Sequence, residues 1–314
     1  MRRCDRDSVR TEPAPGLGGS RDPSVVMRSA LVAGLSVLML AACAERRPES
    51  TTPEASAAQV TPSDFDPADF DPSSPVDNRW FPLTPGTEFV YEGQALDDGE
   101  LIERKVIATV TDMTKEVAGV RVVVAWERDY TDGELEESEL AFWAQDGDGN
   151  VWHLGEYPEE YDDGILLKSP GWIAGEHGAR AGIQMMAEPT LGTLSYEQGY
   201  APPPLNWVDR GRTFDVGVET CVAVDCYEGV LVIEEFERTK PGASQLKYYA
   251  PGVGNVRVGW RGKNEDEHEE LELVSYRRLG GREMEAVRDA VAGLDERAFR
   301  RLPGYTTTTP AAVS

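Results

Sequence analysis

Residues 120–144 read VRVVVAWERDYTDGELEESELAFWA, and this stretch decides the fold. Val120, Val122, Val124, Trp126 and Tyr130 alternate with Arg121, Glu127 and Asp129. Successive side chains of a strand point to opposite faces, so this pattern is a half-buried strand. Asp132-Gly133 follows, a pair that tolerates the positive φ of a tight hairpin. Leu140, Phe142 and Ala144 then repeat the alternation on the return. Upstream, Val106, Ala108 and Val110 do the same, and downstream come 230–236, Val256/Val258/Trp260 and Leu271/Leu273. Asp98-Gly99, Asp148-Gly149-Asn150 and Asp163-Gly164 punctuate these runs. Strand, turn and strand without intervening helices imply a mainly β protein. The expected architecture is a large antiparallel meander sheet, or a half-barrel around a cavity.

One helix is expected, at 282–301, where Met284, Val287, Val291, Leu294 and Phe299 form an apolar stripe interrupted near Gly293. The β domain is placed at 79–280, the helix at 281–303 and a flexible tail at 304–314, loose from Thr306 onward. The full 314 residues fit one large β domain with appendages, and a hydrophobic fraction of 40% is enough for a core. The net charge of −25 speaks against nucleic acid, whose phosphates need a basic footprint.

The N-terminus points to a compartment. Residues 29–42, SALVAGLSVLMLAA, are uncharged, apolar and preceded by Arg28. They are too short to span a bilayer, which takes about 20 apolar residues, and have the form of a signal-peptide core. They end in Leu40-Ala41-Ala42-Cys43, which resembles a bacterial lipobox. The resemblance implies removal of 1–42, acylation of Cys43, and a chain held to the membrane by its lipid on the extracytoplasmic side. Met27 is an alternative start, and Cys4 falls on the discarded side either way. Six Arg and four acids leave with the signal, so the mature charge is −27. An acidic body is repelled by anionic lipid and should stand off the surface. Residues 43–78, rich in Pro, Ser, Thr and acids, read as a disordered tether. Within it Asp64-Phe65-Asp66-Pro67 is echoed by Asp69-Phe70-Asp71-Pro72, which reads as a stiff spacer whose two Phe brush the domain, with a docking motif as the alternative.

Candidate chemistry is sparse. Cys221 and Cys226, outside the cytoplasm and close in sequence, read as a disulfide. His153, His177 and His268 lack ligand spacing, and no metal site is expected; His153 should point to the wet face of its strand. Asp146-Gly147-Asp148-Gly149-Asn150 begins like a calcium loop, but Val151 and Tyr157 stand where such a loop needs Gly and Glu. It reads as a hairpin turn. Glu156, Glu159, Glu160, Asp162 and Asp163 read as a solvated edge. No G-x-S-x-G, Walker A or Rossmann pattern appears, so no cofactor is expected. Trp143 lies on the face opposite Leu140 and Phe142. With Trp152 from the next strand, it is the candidate ligand contact.

Three stretches together resemble a family of secreted or lipidated bacterial domains without assigned activity: Trp80-Phe81-Pro82-Leu83-Thr84-Pro85-Gly86-Thr87, Phe142-Trp143-Ala144-Gln145-Asp146 with Gly149-Asn150-Val151-Trp152, and Lys247-Tyr248-Tyr249-Ala250-Pro251-Gly252-Val253-Gly254. The resemblance spans about 79–278 and implies turns and a hairpin, with no catalytic residues to carry over. A sheet curled over a helix is also similar to lipoprotein carriers that hold acyl chains. The expected function is therefore non-enzymatic: a monomer binding an apolar ligand or an envelope component. The alternatives are a hydrolase of an envelope polymer with paired carboxylates near 146–163, and a structural surface protein.

Overall fold

Five long strands follow one another as an antiparallel meander: β1 (Thr87–Asp97), β2 (Glu100–Val117), β3 (Val120–Thr131), β4 (Glu134–Gln145) and β5 (Val151–Asp162). The computed structural model describes residues 64–97, 99–240, 242–262 and 268–314. The signal segment, Cys4, Cys43 and the tether up to residue 63 lie outside the described residues. Asp132-Gly133 and Asp163-Gly164 both have positive φ at the two turn positions, as a tight hairpin between twisted strands requires. The strand β6 (Ile165–Lys168) closes this meander, and the short β7 (Trp172–Ile173), β8 (Gly182–Met185) and β9 (Tyr196–Glu197) follow. A second meander comprises β10 (Arg210–Cys221), β11 (Cys226–Phe236), β12 (Ala243–Ala250), β13 (Gly254–Gly262) and β14 (His268–Arg278).

The two meanders are joined by β1 and β14, which pair antiparallel from Thr87↔Arg278 to Leu96↔His268. The order is β6-β5-β4-β3-β2-β1-β14-β13-β12-β11-β10-β9. At the far end, β8 pairs with β5 and lies against β9, the partner of β10. The sheet therefore curls until its two ends approach. Only glycine fits at that meeting, since a Cβ on Gly182 would stand 2.1 Å from the Gly199 nitrogen. The half-barrel expected from the alternation is the observed form.

The curled sheet has two apolar faces. Outside, Val122, Val124, Leu140, Phe142, Leu154 and Tyr157 pack against the helix α1 (Gly281–Arg301) through Val287, Val291, Leu294 and Ala298. Gly293 does not interrupt α1. A helical glycine costs about 1 kcal/mol relative to alanine, and Val291 and Leu294, both buried, outweigh it. Inside, Phe89, Tyr91, Val106, Val110, Leu271 and Tyr249 line the concavity.

Two expectations are corrected. The tail is not loose: β15 (Ala312–Val313) pairs with β2, Thr308 is buried, and Ala311 N–H donates to Asp295 Oδ2 at 3.0 Å. Its anchors are backbone groups, which composition does not reveal. Residues 64–78 are not tether either. Phe65 and Phe70 pack on Trp152 with centroids at 5.4 and 6.1 Å, Asp69 O accepts Gly147 N–H at 2.8 Å, and Val76 and Asn78 are buried.

The familiar stretches serve the fold. Gly86, at φ +80°, donates to Val110 O and accepts from Leu279 N–H, tying β14 to β2 across the start of β1. Asp146 accepts from the Asp148 and Asn150 backbone and from Trp152 Nε1, which makes the 146–150 stretch a hairpin turn. Gly252, at φ +77°, turns β12 into β13 and donates to Arg79 O. Cys221 and Cys226 face each other across the β10–β11 hairpin and form a disulfide.

Candidate functional site

The concave side of the sheet encloses a cavity of about 320 Å³, at the low end of the roughly 300–1,000 Å³ that holds small ligands. A second hollow of about 680 Å³ adjoins it where β14 leaves β13, and the two share Val258 and Leu271. The separation of β13 from β14 makes this hollow, because they pair only at Arg257↔Glu272 and Val258↔Leu271.

One wall is aromatic. Trp143 points inward from β4, opposite Leu140 and Phe142. Phe81 meets its ring at 5.3 Å and Tyr249 lies beyond at 6.3 Å from Phe81. The residue paired with Trp143 is His153, stacked at 4.2 Å, and not Trp152. Trp152 faces outward under Phe65 and Phe70, so the two expected contact residues fall on opposite faces. His153 is corrected too: it is 3% exposed and edged by Trp172 and Trp207. Its Nε2 lies 3.1 Å from Gly155 O, and burial pushes its pKa down to about 3, so it stands neutral in the wall.

A bulge explains the next surprise. Phe142 pairs with Gly155 and Trp143 with His153, which leaves Leu154 as an extra residue on β5. Gly155 takes φ +146° there, and a Cβ on it would stand 2.5 Å from Trp172 O. The bulge switches the inward parity of β5, so that both His153 and Glu156 line the cavity. Tyr157 and Glu159 turn outward, where Arg297 of α1 bonds Glu159 at 2.8 and 2.9 Å. The acidic run is thus no solvated edge at these two positions: Glu156 is an interior carboxyl and Glu159 a buried one.

The other wall is acidic. Glu127 and Asp129 of β3 face Glu139 and Glu137 of β4 in direct register, a pairing of like charges that destabilises a sheet. Seven carboxylates (Glu127, Asp129, Glu139, Glu156, Asp209, Glu235 and Glu269) line the cavity with one lysine, Lys247. Lys247 is engaged by Glu235 at 2.8 Å. Arg104 reaches Asp129 at 3.3 Å but is shared with Glu269 and Glu136. Asp129 Oδ1 is enclosed without a hydrogen-bond donor.

Withdrawal from bulk water, reinforced by mutual repulsion, raises these acids. Glu156 is pushed up to about 8, with Glu137 and Asp209 adding to the effect of burial. Glu137 rises to about 7 and Asp209 to about 6. Glu139 and Asp129 also stand well above the usual carboxylate range, from burial first and neighbouring acids second. Glu127 is raised by burial against the pull of Lys247, yet its side chain faces the open hollow and water reaches it. A cavity with a cluster of shifted carboxyls is a functional-site signature. Sequence reading assigned Glu127 and Asp129 to a solvated face. The missing signal was the curl that turns this face inward.

Among the described residues, no three His, Cys, Asp or Glu side chains come together as metal ligands. Two solved structures are similar to this chain. One is a Bacteroides fragilis protein described as exported and as having a YmcC-like fold, with 13% identity and a TM-score of 0.34 over 63% of this chain and 99% of that one. The other is a Parabacteroides distasonis protein described as a lipoprotein, with 13% identity and a TM-score of 0.30 over 64% of this chain and 99% of that one. No protein-family model matches the sequence, and no curated protein is similar to it.

Proposed function

We propose that the protein is a bacterial lipoprotein, tethered through acylated Cys43 on the extracytoplasmic side, whose curled sheet binds a small ligand with an apolar body. The observation that carries this reading is the cavity of about 320 Å³ with an aromatic wall built on Trp143, Phe81 and Tyr249. Such a wall offers area to an apolar group without side-chain ordering costs, because its rings are already held by one another. The acidic wall is the part of this reading that departs from an apolar carrier.

Titration of the mature domain with N-phenyl-1-naphthylamine, a neutral apolar probe, tests it. Saturable quenching of tryptophan emission is expected, weakened about tenfold in Trp143→Ala. Absence of saturable binding contradicts it. For the anchor, cells carrying Cys43→Ala should release the protein from the membrane fraction; retention as tight as wild type contradicts acylation at Cys43.

A second reading, hydrolysis of an envelope polymer, is favoured by Glu156, poised near 8 with Asp209 near 6 in the same cavity. It predicts that Glu156→Gln abolishes release of soluble fragments from purified envelope polymer. No such release by the wild-type domain eliminates it.

A further inference from the structure

The charge arrangement of the cavity asks for something the chain does not supply. Seven carboxylates line it against one lysine, and that lysine is already engaged by Glu235. Glu127 faces Glu139 and Asp129 faces Glu137 across adjacent strands, where a cation between them would remove the repulsion. Arg104 is the nearest chain cation, and its guanidinium is divided among Asp129, Glu136 and Glu269. It leaves Asp129 Oδ1 enclosed with no donor. A buried acceptor without a donor costs free energy, and Asp129 is among the residues that line the hollow.

The carboxyls do not converge as metal ligands among the described residues. They are spread along two strands, which suits a group that sends separate N–H donors to several oxygens. An ammonium has three such donors. Beside the carboxylates stands Trp143, whose ring offers area to an apolar body and a π-system to a cation. The adjoining hollow behind Val258 and Leu271 is lined largely by charge, including Glu92, Glu103, Lys105 and Arg257, so the apolar body stays against the aromatic wall.

We infer that the ligand of this cavity is an amphipathic ammonium, its protonated amine seated between Glu127, Asp129 and Glu139 and its apolar body against Trp143. This rests on the binding reading above and narrows it. The acids then supply charge complementarity, and the aromatic wall supplies area. A neutral or anionic amphiphile of the same length fits the aromatic wall only.

The test compares octylammonium, octanol and octanoate by tryptophan fluorescence, at a pH above the point where Glu156 titrates. Octylammonium is expected to bind at least about tenfold more tightly than octanol, with octanoate weakest. Glu139→Gln should narrow the ammonium-to-alcohol ratio, and Glu127→Gln on the facing strand should do the same should the first variant fail to fold. Equal or tighter binding of octanol overturns the inference while leaving the binding reading intact. An unchanged ratio in the folded variants overturns it as well. Stoichiometric displacement of octylammonium by calcium would replace the ammonium with a metal ion and also overturn it. Failure of all three amphiphiles and of the neutral naphthylamine probe would instead remove the binding reading itself.

Discussion

On the α1 side of the sheet, Lys115 is wholly buried, bonds Asp295 at 2.7 Å and lies 3.6 Å from the centre of the Tyr305 ring. Tyr305 Oη and Ala311 N–H both donate to the same carboxylate. Glu159 is gripped by Arg297, and Asp112 of β2 by Arg288 of α1. On the inner side of the same strands, seven carboxylates face one lysine and a share of Arg104, whose guanidinium is divided among Asp129, Glu136 and Glu269. Both sets are built on one sheet from alternating residues, so burial alone does not distinguish them. The difference is matching. Where charge serves to hold α1 and the tail, each carboxylate has its cation; in the hollow the acids outnumber the chain's cations. Charges that stabilise a fold are paired within it, and a surplus facing a cavity is available to a ligand.

The comparison breaks most visibly at the matched pair. Asp295→Ala leaves Lys115 buried without its anion and strips the acceptor from Tyr305 and Ala311. A loss of about 3–5 kcal/mol is expected by urea denaturation. A loss under about 1 kcal/mol would mean that the pairing is incidental. Replacing Cys221 and Cys226 by Ser should cost roughly 2 kcal/mol through the lost loop constraint, with ligand binding unchanged, since the bond closes the end of β11 remote from Glu235. Mass spectrometry of the unreduced protein should find those two peptides linked.

The pH dependences of the two sides have opposite signs. Glu156 is raised in the folded state from 4.5 to about 8, so its contribution to stability is fully present below about 4.5 and is lost as pH rises through 8. The limiting slope is about 1.4 kcal/mol per pH unit for each proton the folded state holds in excess. Glu159 behaves in reverse. Against the cost of burial, hydrogen bonds from Arg297, Tyr161 and Tyr157 hold it down to about 2, so its contribution is present above 4.5 and lost as pH falls through 2. Denaturation midpoints between pH 6 and 9 should therefore decline in wild type and decline less steeply in Glu156→Gln, where Glu137, Glu139 and Asp129 stay raised. The smallest effect is the most diagnostic: Glu139→Gln should stabilise the domain, by about 0.2–1 kcal/mol, because it removes a like-charge pair. Destabilisation by that variant would show that the hydrogen bond between Glu139 and Glu137 outweighs the like-charge repulsion.

Much of this architecture was legible in the strands themselves. Val120, Val122 and Val124 announced a half-buried strand, Asp132-Gly133 a tight hairpin, and Met284 to Leu294 the amphipathic helix. Trp143 was legible as the residue facing away from the helix side. Its neighbour was not, because the bulge at Leu154 shifts the register and brings His153, not Trp152, beside it. Period-two reading fails at such a bulge, and Gly155 between Leu154 and Glu156 was its only local sign. Glu127 and Asp129 were read as solvated, since alternation tells that a face is polar but not whether the sheet curls it inward. The contact of Phe65 and Phe70 with the domain was legible in the repeat, but the docking of 64–78 and of the tail from Thr308 was not, because short segments with few aliphatics dock by two rings and a few backbone bonds.

The central claim is that the surplus carboxylates of the hollow await a ligand cation, and calorimetry reports on it most directly. Octylammonium should be titrated into the mature domain near the pH where Glu137 and Glu156 are partly protonated, about 7 to 8, in two buffers of different ionisation enthalpy. A cation entering a cluster of shared protons must expel protons, so the measured heat should differ between the buffers in the direction of proton release. Saturable binding with the same heat in both buffers, or with proton uptake, would contradict the account.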